Sequence, residues 1–390
     1  MAALFTRSLH ASIGGARKYL NTEFSAIFSL IVAYGLLISP MPIWAMLFYL
    51  TVPILVVHRL VAGWRIPLRD PSIALSLALI LWSTTTLIWG YDPSGQNASR
   101  LLWLLDGAST LIFFLAWLIA VESADGEASL EFALVLGGAG NAIFAMIRHF
   151  LYHPADDRMW GWGISGQPVL GSAIMAVLFI LTLDRILDRR GSVWMQLVAL
   201  FLFGIFMLLS GARGPLLAAG ICTLYRLKGE NGRVWLGILA IGLVTLAFAV
   251  FLVPGWVKNT LSGAFTRGSD YHFAIWRETI VEISKRPFFG YGPTARLPIT
   301  LPQLPHPFPH NLYLSLVFYS GIVGLFLFMA MLVGFVIRPG SRRPGRIALC
   351  LVPLIVGLTD LGQMIKGPAA MWYIVWVPIL FFITAKTEQR

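Results

Sequence analysis

Apolar stretches of helical length, separated by short polar breaks, set the pattern of this chain almost from end to end. A helix that crosses a bilayer needs about 20 apolar residues. On that measure the sequence predicts about twelve crossings, at 24–39, 41–58, 71–89, 101–120, 130–149, 164–184, 193–209, 215–227, 234–253, 311–336, 347–362 and 369–384. The longest polar interruption runs over 254–310. Within it, Ser269 and Asp270 stand where a helix of about 272–286 would be capped, and Pro287 stands where it would end. Phe273, Trp276, Ile280 and Ile283 make a narrow apolar stripe along that segment, as in a helix lying flat at an interface. A proline-rich, extended run follows, through Pro298, Pro302, Pro305, Pro307 and Pro309. The expected fold class is therefore all-α: a polytopic membrane protein with one long outer loop carrying a short interfacial helix. Residues 1–390 read as a single membrane domain, without a soluble domain or short-period repeat.

Composition supports this. Of the 390 residues, 57% are hydrophobic and 12% charged, and the mean hydropathy is +0.77, outside the range of a soluble domain. The net charge of +11 does not point to nucleic acid, because the basic residues fall in the breaks between apolar segments, as topology signals do. Arg7, Arg17 and Lys18 precede the first apolar run with no cleavage pattern after it, so an uncleaved, cytoplasmic N-terminus is expected. Alternating the crossings from there puts most Lys and Arg on the cytoplasmic side, together with both termini. Lys258, Arg267, Arg277, Lys285, Arg286 and Arg296 sit in the long outer loop, where the rule is weak. The acidic break at 121–129 is cytoplasmic in this scheme. Cys222 and Cys350 lie within apolar stretches and predict neither a disulfide framework nor a metal motif.

Chemistry gathers on the outer side. Arg213 occupies a tight turn, Ser210-Gly211-Ala212-Arg213-Gly214-Pro215, and His310 immediately precedes a crossing that begins at the same surface. Arg213, Arg267 and Arg277 suit a pyrophosphate, because a guanidinium fork meets phosphate oxygens bidentately. A histidine titrates near neutrality and so suits proton abstraction from a hydroxyl. Together they describe glycosyl transfer from a lipid pyrophosphate. The plainer reading has the arginines snorkelling to headgroups and His310 capping a helix. Asp106 and Asp360, inside apolar segments, are candidates to orient an arginine; the alternative is a protonated, buried carboxyl. His149 and His153 have a metal-compatible spacing, but the helix is expected to end between them, which leaves ordinary loop polarity. No Walker A pattern occurs, so neither a nucleotide nor an ATP-driven pump is implied.

Several of these motifs resemble those of the bacterial O-antigen ligase and polymerase superfamily. They are Leu209-Ser210-Gly211-Ala212-Arg213-Gly214; Ile275-Trp276-Arg277 leading to Arg286-Pro287-Phe288-Phe289-Gly290-Tyr291-Gly292; and His310-Asn311-Leu312-Tyr313-Leu314 with Gly321 and Gly324 following. The resemblance covers about 200–335. It implies a metal-independent, cofactor-free inner-membrane glycosyltransferase with a periplasmic site. In the ligase branch, a glycan on undecaprenyl pyrophosphate passes to a sugar hydroxyl of lipid A–core. The family's essential turn arginine falls on Arg213 and its essential histidine on His310. A second arginine falls on Arg267 or Arg277, and His272 stands where an arginine is expected four residues before the tryptophan. Polymerases often carry a glycine eleven residues after an outer-loop arginine, but Arg213, Arg267 and Arg277 are followed there by Leu224, Glu278 and Phe288. The ligase is therefore favoured, with a polymerase as the alternative and a lipid-linked sugar flippase more distant, since no inverted repeat is evident. A metal-dependent lipid-sugar transferase would need acidic residues in the first outer connection, which here is Ser39-Pro40-Met41-Pro42.

Overall fold

The computed structural model describes residues 21–37, 41–90, 97–123, 125–152, 158–228, 230, 237, 241–242, 244–245, 269–298, 308–337 and 343–384. All regular structure among them is helical: α1 (Asn21–Leu37), α2 (Met41–Val61), α3 (Pro71–Thr85, prolonged by a 3-10 turn to Ile88), α4 (Asn97–Ala120), α5 (Gly126–Tyr152), α6 (Pro168–Leu187), α7 (Val193–Ser210), α8 (Arg213–Leu227), α9 (Ser269–Lys285), α10 (Leu312–Ile337), α11 (Pro344–Val356) and α12 (Trp372–Ile383). Seven of the described helices are long and apolar enough to cross a membrane, and α1, α11 and α12 are shorter apolar helices. The all-helical polytopic expectation is borne out. The expected crossing at 234–253 falls largely outside the described residues, as do Arg267, His153 and the side chains that would cap α9.

Local sequence sets the helix ends. Pro71 opens α3 behind Asp70, whose carboxylate accepts from the Ser72 N–H at 2.9 Å. Gln167 does the same for α6 through the Leu170 N–H at 2.7 Å. At the end of α7, Gly211 takes up the left-handed conformation (φ 64°) that a side chain resists. Helices α6 and α12 are buried almost all round and form the centre of the bundle. Lipid tails are as apolar as leucine, so close packing rather than water exclusion holds such helices together. Around the start of α12, Phe113 stacks on Trp372 with ring centroids 4.4 Å apart, and Phe48 approaches the same indole at 4.8 Å.

At the cytoplasmic end of the sequence scheme, the basic residues do more than mark topology. Glu131, 1% exposed, accepts from Arg185 at 2.6 Å and from Arg190 at 2.8 Å. Asp184 accepts from Arg190 at 3.0 Å and from Arg226 at 2.6 Å, and Arg346 reaches Glu127 and Glu131. The network ties α5, α6, α8 and α11 together. Its carboxylates were invisible to a reading that counted only Lys and Arg.

Helix α10, expected as one uninterrupted crossing, breaks at Gly321 (φ 69°, ψ −177°). The Arg286–Gly292 turn plugs that break. Ile322 N–H donates to the Pro287 carbonyl at 2.8 Å, while Tyr291 and Gly292 N–H donate to the Phe318 and Tyr319 carbonyls at 2.8 and 2.9 Å. A Cβ on Gly321 would stand 2.0 Å from the Phe288 carbonyl oxygen, and one on Gly290 would stand 2.6 Å from the Gly321 nitrogen. The glycines of this motif are thus spent on backbone meeting backbone.

Helix α9 docks on α10 through Ile275, with Thr279 and Glu282 buried and Trp276 and Ile283 half-buried, whereas Phe273 and Ile280 stay exposed. The stripe expected from sequence is therefore divided. Its inner edge packs on protein and its outer edge faces away, because the helix has α10 on one flank.

Candidate functional site

The two motifs read as chemical meet on one short segment. Below Arg213, Ser210 is buried and hydrogen-bonded to Ser172, and its carbonyl accepts from Arg158 Nε at 2.8 Å. The turn then enters α8 so tightly against the end of α11 that a Cβ on Gly214 would lie 2.8 Å from Thr359 Oγ1. From the other side, α10 begins against the same segment. Leu312 N–H donates to the Gly357 carbonyl at 2.8 Å, and Asn311 Nδ2 to the Leu358 carbonyl at 2.8 Å.

Asn311, not His310, caps α10: its Oδ1 accepts from the Tyr313 and Leu314 N–H groups, each at 3.0 Å. His310 itself sits in a left-handed conformation, φ 48°, which a non-glycine residue adopts seldom and more often at functional positions. Its ring stacks on Phe308 at 3.7 Å, and its Nδ1 lies 3.2 Å from Asp360 Oδ1. That oxygen also accepts the Leu361 N–H at 2.8 Å. A carboxylate on Nδ1 orients the imidazole and leaves Nε2 clear of that contact. Asp360 thus orients a histidine rather than the arginine expected of it.

His272 completes the pair's surroundings, with its ring centroid 5.4 Å from that of His310. Its Nδ1 is buried without a hydrogen-bond partner among the described residues. Burial holds its pKa below the usual 6.5 and His310 adds to the effect, while Asp360 opposes it. Arg277, on the same helix, is exposed, so α9 brings its histidine rather than its arginine to His310.

Between α11 and α12 the sequence predicted only a short outer connection. The structure instead has irregular backbone from Gly357 to the first turn of α12. Non-helical backbone at this depth is tolerated where its polar groups are met and where it lines a cavity. Both conditions hold here. The Gly367 carbonyl accepts from Ser109 Oγ at 2.6 Å and its N–H donates to Asp106 Oδ1 at 3.4 Å. Trp376 Nε1 donates to the Met364 carbonyl at 2.9 Å, and Gln363 Nε2 to the Pro293 carbonyl at 2.7 Å. Asp106 therefore holds backbone in place, and the cation beside it is Lys366 rather than an arginine.

The cavity has a volume of about 800 Å³. Its wall includes Asp360, Phe308, Trp103 and Tyr319, and two cations, Arg296 and Lys366. Lys366 Nζ stands 5.6 Å from the Trp103 ring centroid. Arg213 is exposed at the turn beside this wall, and neither it nor Arg277 is among the lining residues. Arg296 and Lys366 escaped the sequence reading because each looked like one more basic residue in a polar break. The only available signal was their nearness to Tyr291-Gly292-Pro293 and to Gly367-Pro368.

The fold and this chamber define a polytopic membrane protein with a histidine–carboxylate pair at the edge of a cationic cavity. Residues 198–329 match the family model described as O-antigen ligase, and the resemblance read from the motifs is borne out. A curated O-antigen ligase of Pseudomonas aeruginosa is 24% identical over 334 residues, covering 83% of this chain and 79% of that protein. The matched segment contains the Arg213 turn, α9, His310 and Gly321, and stops short of Asp360 and Lys366.

Proposed function

We propose that the protein is an O-antigen ligase that transfers a glycan from undecaprenyl pyrophosphate to a sugar hydroxyl of lipid A–core, at the periplasmic face of the inner membrane and without a metal. The observation that carries this reading is the His310–Asp360 pair, 3.2 Å apart, beside a cavity whose wall holds Arg296 and Lys366. The acceptor hydroxyl gives its proton to His310 Nε2, and Asp360 stabilises the imidazolium that forms. The new bond joins the acceptor oxygen to the anomeric carbon as the bond from that carbon to the phosphate oxygen breaks. The electron pair leaves with undecaprenyl pyrophosphate. Its growing charge is met by the cavity cations, with Arg213 at the neighbouring turn. The energy of the step comes with the substrate. The side of the membrane is supported by the Lys and Arg distribution, on which both termini are read as cytoplasmic.

The test is transfer by purified protein with defined carrier and acceptor in the presence of a chelator. His310→Ala is expected to lower kcat by about 10²–10⁴-fold, and Asp360→Asn to lower it less, with carrier binding retained in both. Undiminished transfer by His310→Ala overturns the mechanism. In a deletion strain, polymer accumulating on its carrier indicates a ligase, and single repeat units accumulating indicate a polymerase.

A further inference from the structure

A second concavity lies on the outer flank of α3, where the Arg286–Gly290 turn meets Trp82 and Trp89. Its volume is about 570 Å³ and its wall is formed by Trp82, Trp89, Lys285, Arg286, Phe288 and Phe289 with the adjoining turn. Trp82, Trp89 and Phe289 form a triangle with ring centroids 5.7–6.0 Å apart. Both indoles are fixed, Trp82 Nε1 on the Ser320 carbonyl at 2.8 Å and Trp89 Nε1 on the Phe289 carbonyl at 3.1 Å. Phe288 and Phe289 are nonetheless 64% and 57% exposed. Beside this rigid apolar shelf are two cations. Lys285 is engaged by Glu282 at 2.6 Å. The Arg286 guanidinium lies 5.1 Å from the Tyr291 ring centroid and has no carboxylate partner among the described residues. Fixed aromatics beside an arginine fork match a lipid that carries both acyl chains and phosphate.

The groove is also close to the reaction chamber. Gly290 lines the groove and Pro293 lines the chamber, and three residues of chain span at most about 11 Å. A transfer between two lipids needs a second lipid entry of this kind, since the chamber already offers the cations for a diphosphate.

We propose that this groove seats the acceptor: the acyl chains of the phosphorylated glycolipid lie on the Trp82–Trp89–Phe289 shelf and one of its phosphates meets Arg286. The acceptor's identity rests on the function proposed above; the groove's chemistry does not.

The test measures binding of lipid A, dephosphorylated lipid A and phosphatidylglycerol to the purified full-length protein by native mass spectrometry. Loss of a charge-assisted phosphate contact weakens binding about tenfold, so Arg286→Gln is expected to lose lipid A to that extent. Arg286→Lys is expected to retain most of the affinity, and undecaprenyl pyrophosphate binding to stay unchanged in both. Dephosphorylated lipid A is expected to bind weakly and without regard to residue 286. Phe288→Ser, which leaves both cations and the backbone contacts in place, is expected to weaken lipid A binding independently and guards against misfolding of the arginine variants. Equal lipid A affinity in Arg286→Gln and wild type overturns the assignment, as does phosphatidylglycerol competing with lipid A on equal terms. Arginine-dependent lipid A binding in a wild-type protein that transfers no glycan leaves the groove standing and removes the proposed reaction. Transfer with lipid A bound independently of residues 286 and 288 removes the groove alone.

Discussion

His272 occupies a position at which the motif pattern expects an arginine, and its environment explains what a histidine does there. It faces His310 with a buried Nδ1 that has no hydrogen-bond partner among the described residues, so the folded protein favours its neutral form and its pKa lies below 6.5. Unfolded chain therefore takes up the proton first as pH falls. The stability linked to this residue is complete above about pH 6.5 and is lost on acidification through the folded pKa. Melting temperature measured in detergent is expected to fall between about pH 7.5 and 5.5, and less steeply in His272→Gln; parallel curves would remove His272 from the effect. Arg213 and His310 were legible as candidates because a charged or titratable residue in a tight polar turn between apolar segments has few ordinary reasons to be there. Asp360 was legible as a membrane carboxylate but not by its partner. That partner depends on a non-helical path after Val356, where hydropathy alone draws more helix.

At the scale of elements, the glycine-rich Arg286–Gly292 motif and the break in α10 form one joint. Gly321 carries a positive φ and has the Phe288 carbonyl where a Cβ would go. Gly321→Ala is therefore expected to destabilise the protein by about 1–3 kcal/mol, seen as a lower melting temperature and reduced yield. Gly220 is the control: it lies within α8 with open space around it, so Gly220→Ala is expected to be neutral or to stabilise by up to about 1 kcal/mol. Equal effects of the two would show that the joint bears no load. Helix placement was legible because long apolar runs dictate it. The break was not, since Gly321 sits in an unbroken apolar run and its partner lies some thirty residues upstream. The stripe on α9 misled for a related reason: periodicity identifies apolar positions without saying whether protein or lipid covers them.

For the whole molecule, polar groups are sorted to two ends, with the paired network of Glu131, Asp184, Arg190 and Arg226 at one and the chamber at the other. Cys222 and Cys350 are buried, so single added cysteines report orientation without a cysteine-free background. Ser284→Cys, on the exposed side of α9, is expected to react with a membrane-impermeant maleimide in spheroplasts. Lys228→Cys, exposed beyond α8, is expected to react only after permeabilisation. The reverse pattern would turn the protein over and place the chamber in the cytoplasm. The chamber's volume, about 800 Å³, is that of a pocket for a ligand of drug size, far short of a polysaccharide. Under the proposed reaction it encloses the phosphates and the first sugars and leaves the remaining polymer in water. On that proposal the site cannot count repeats: chains short and long would present it with the same handle, and their length would have to be decided elsewhere.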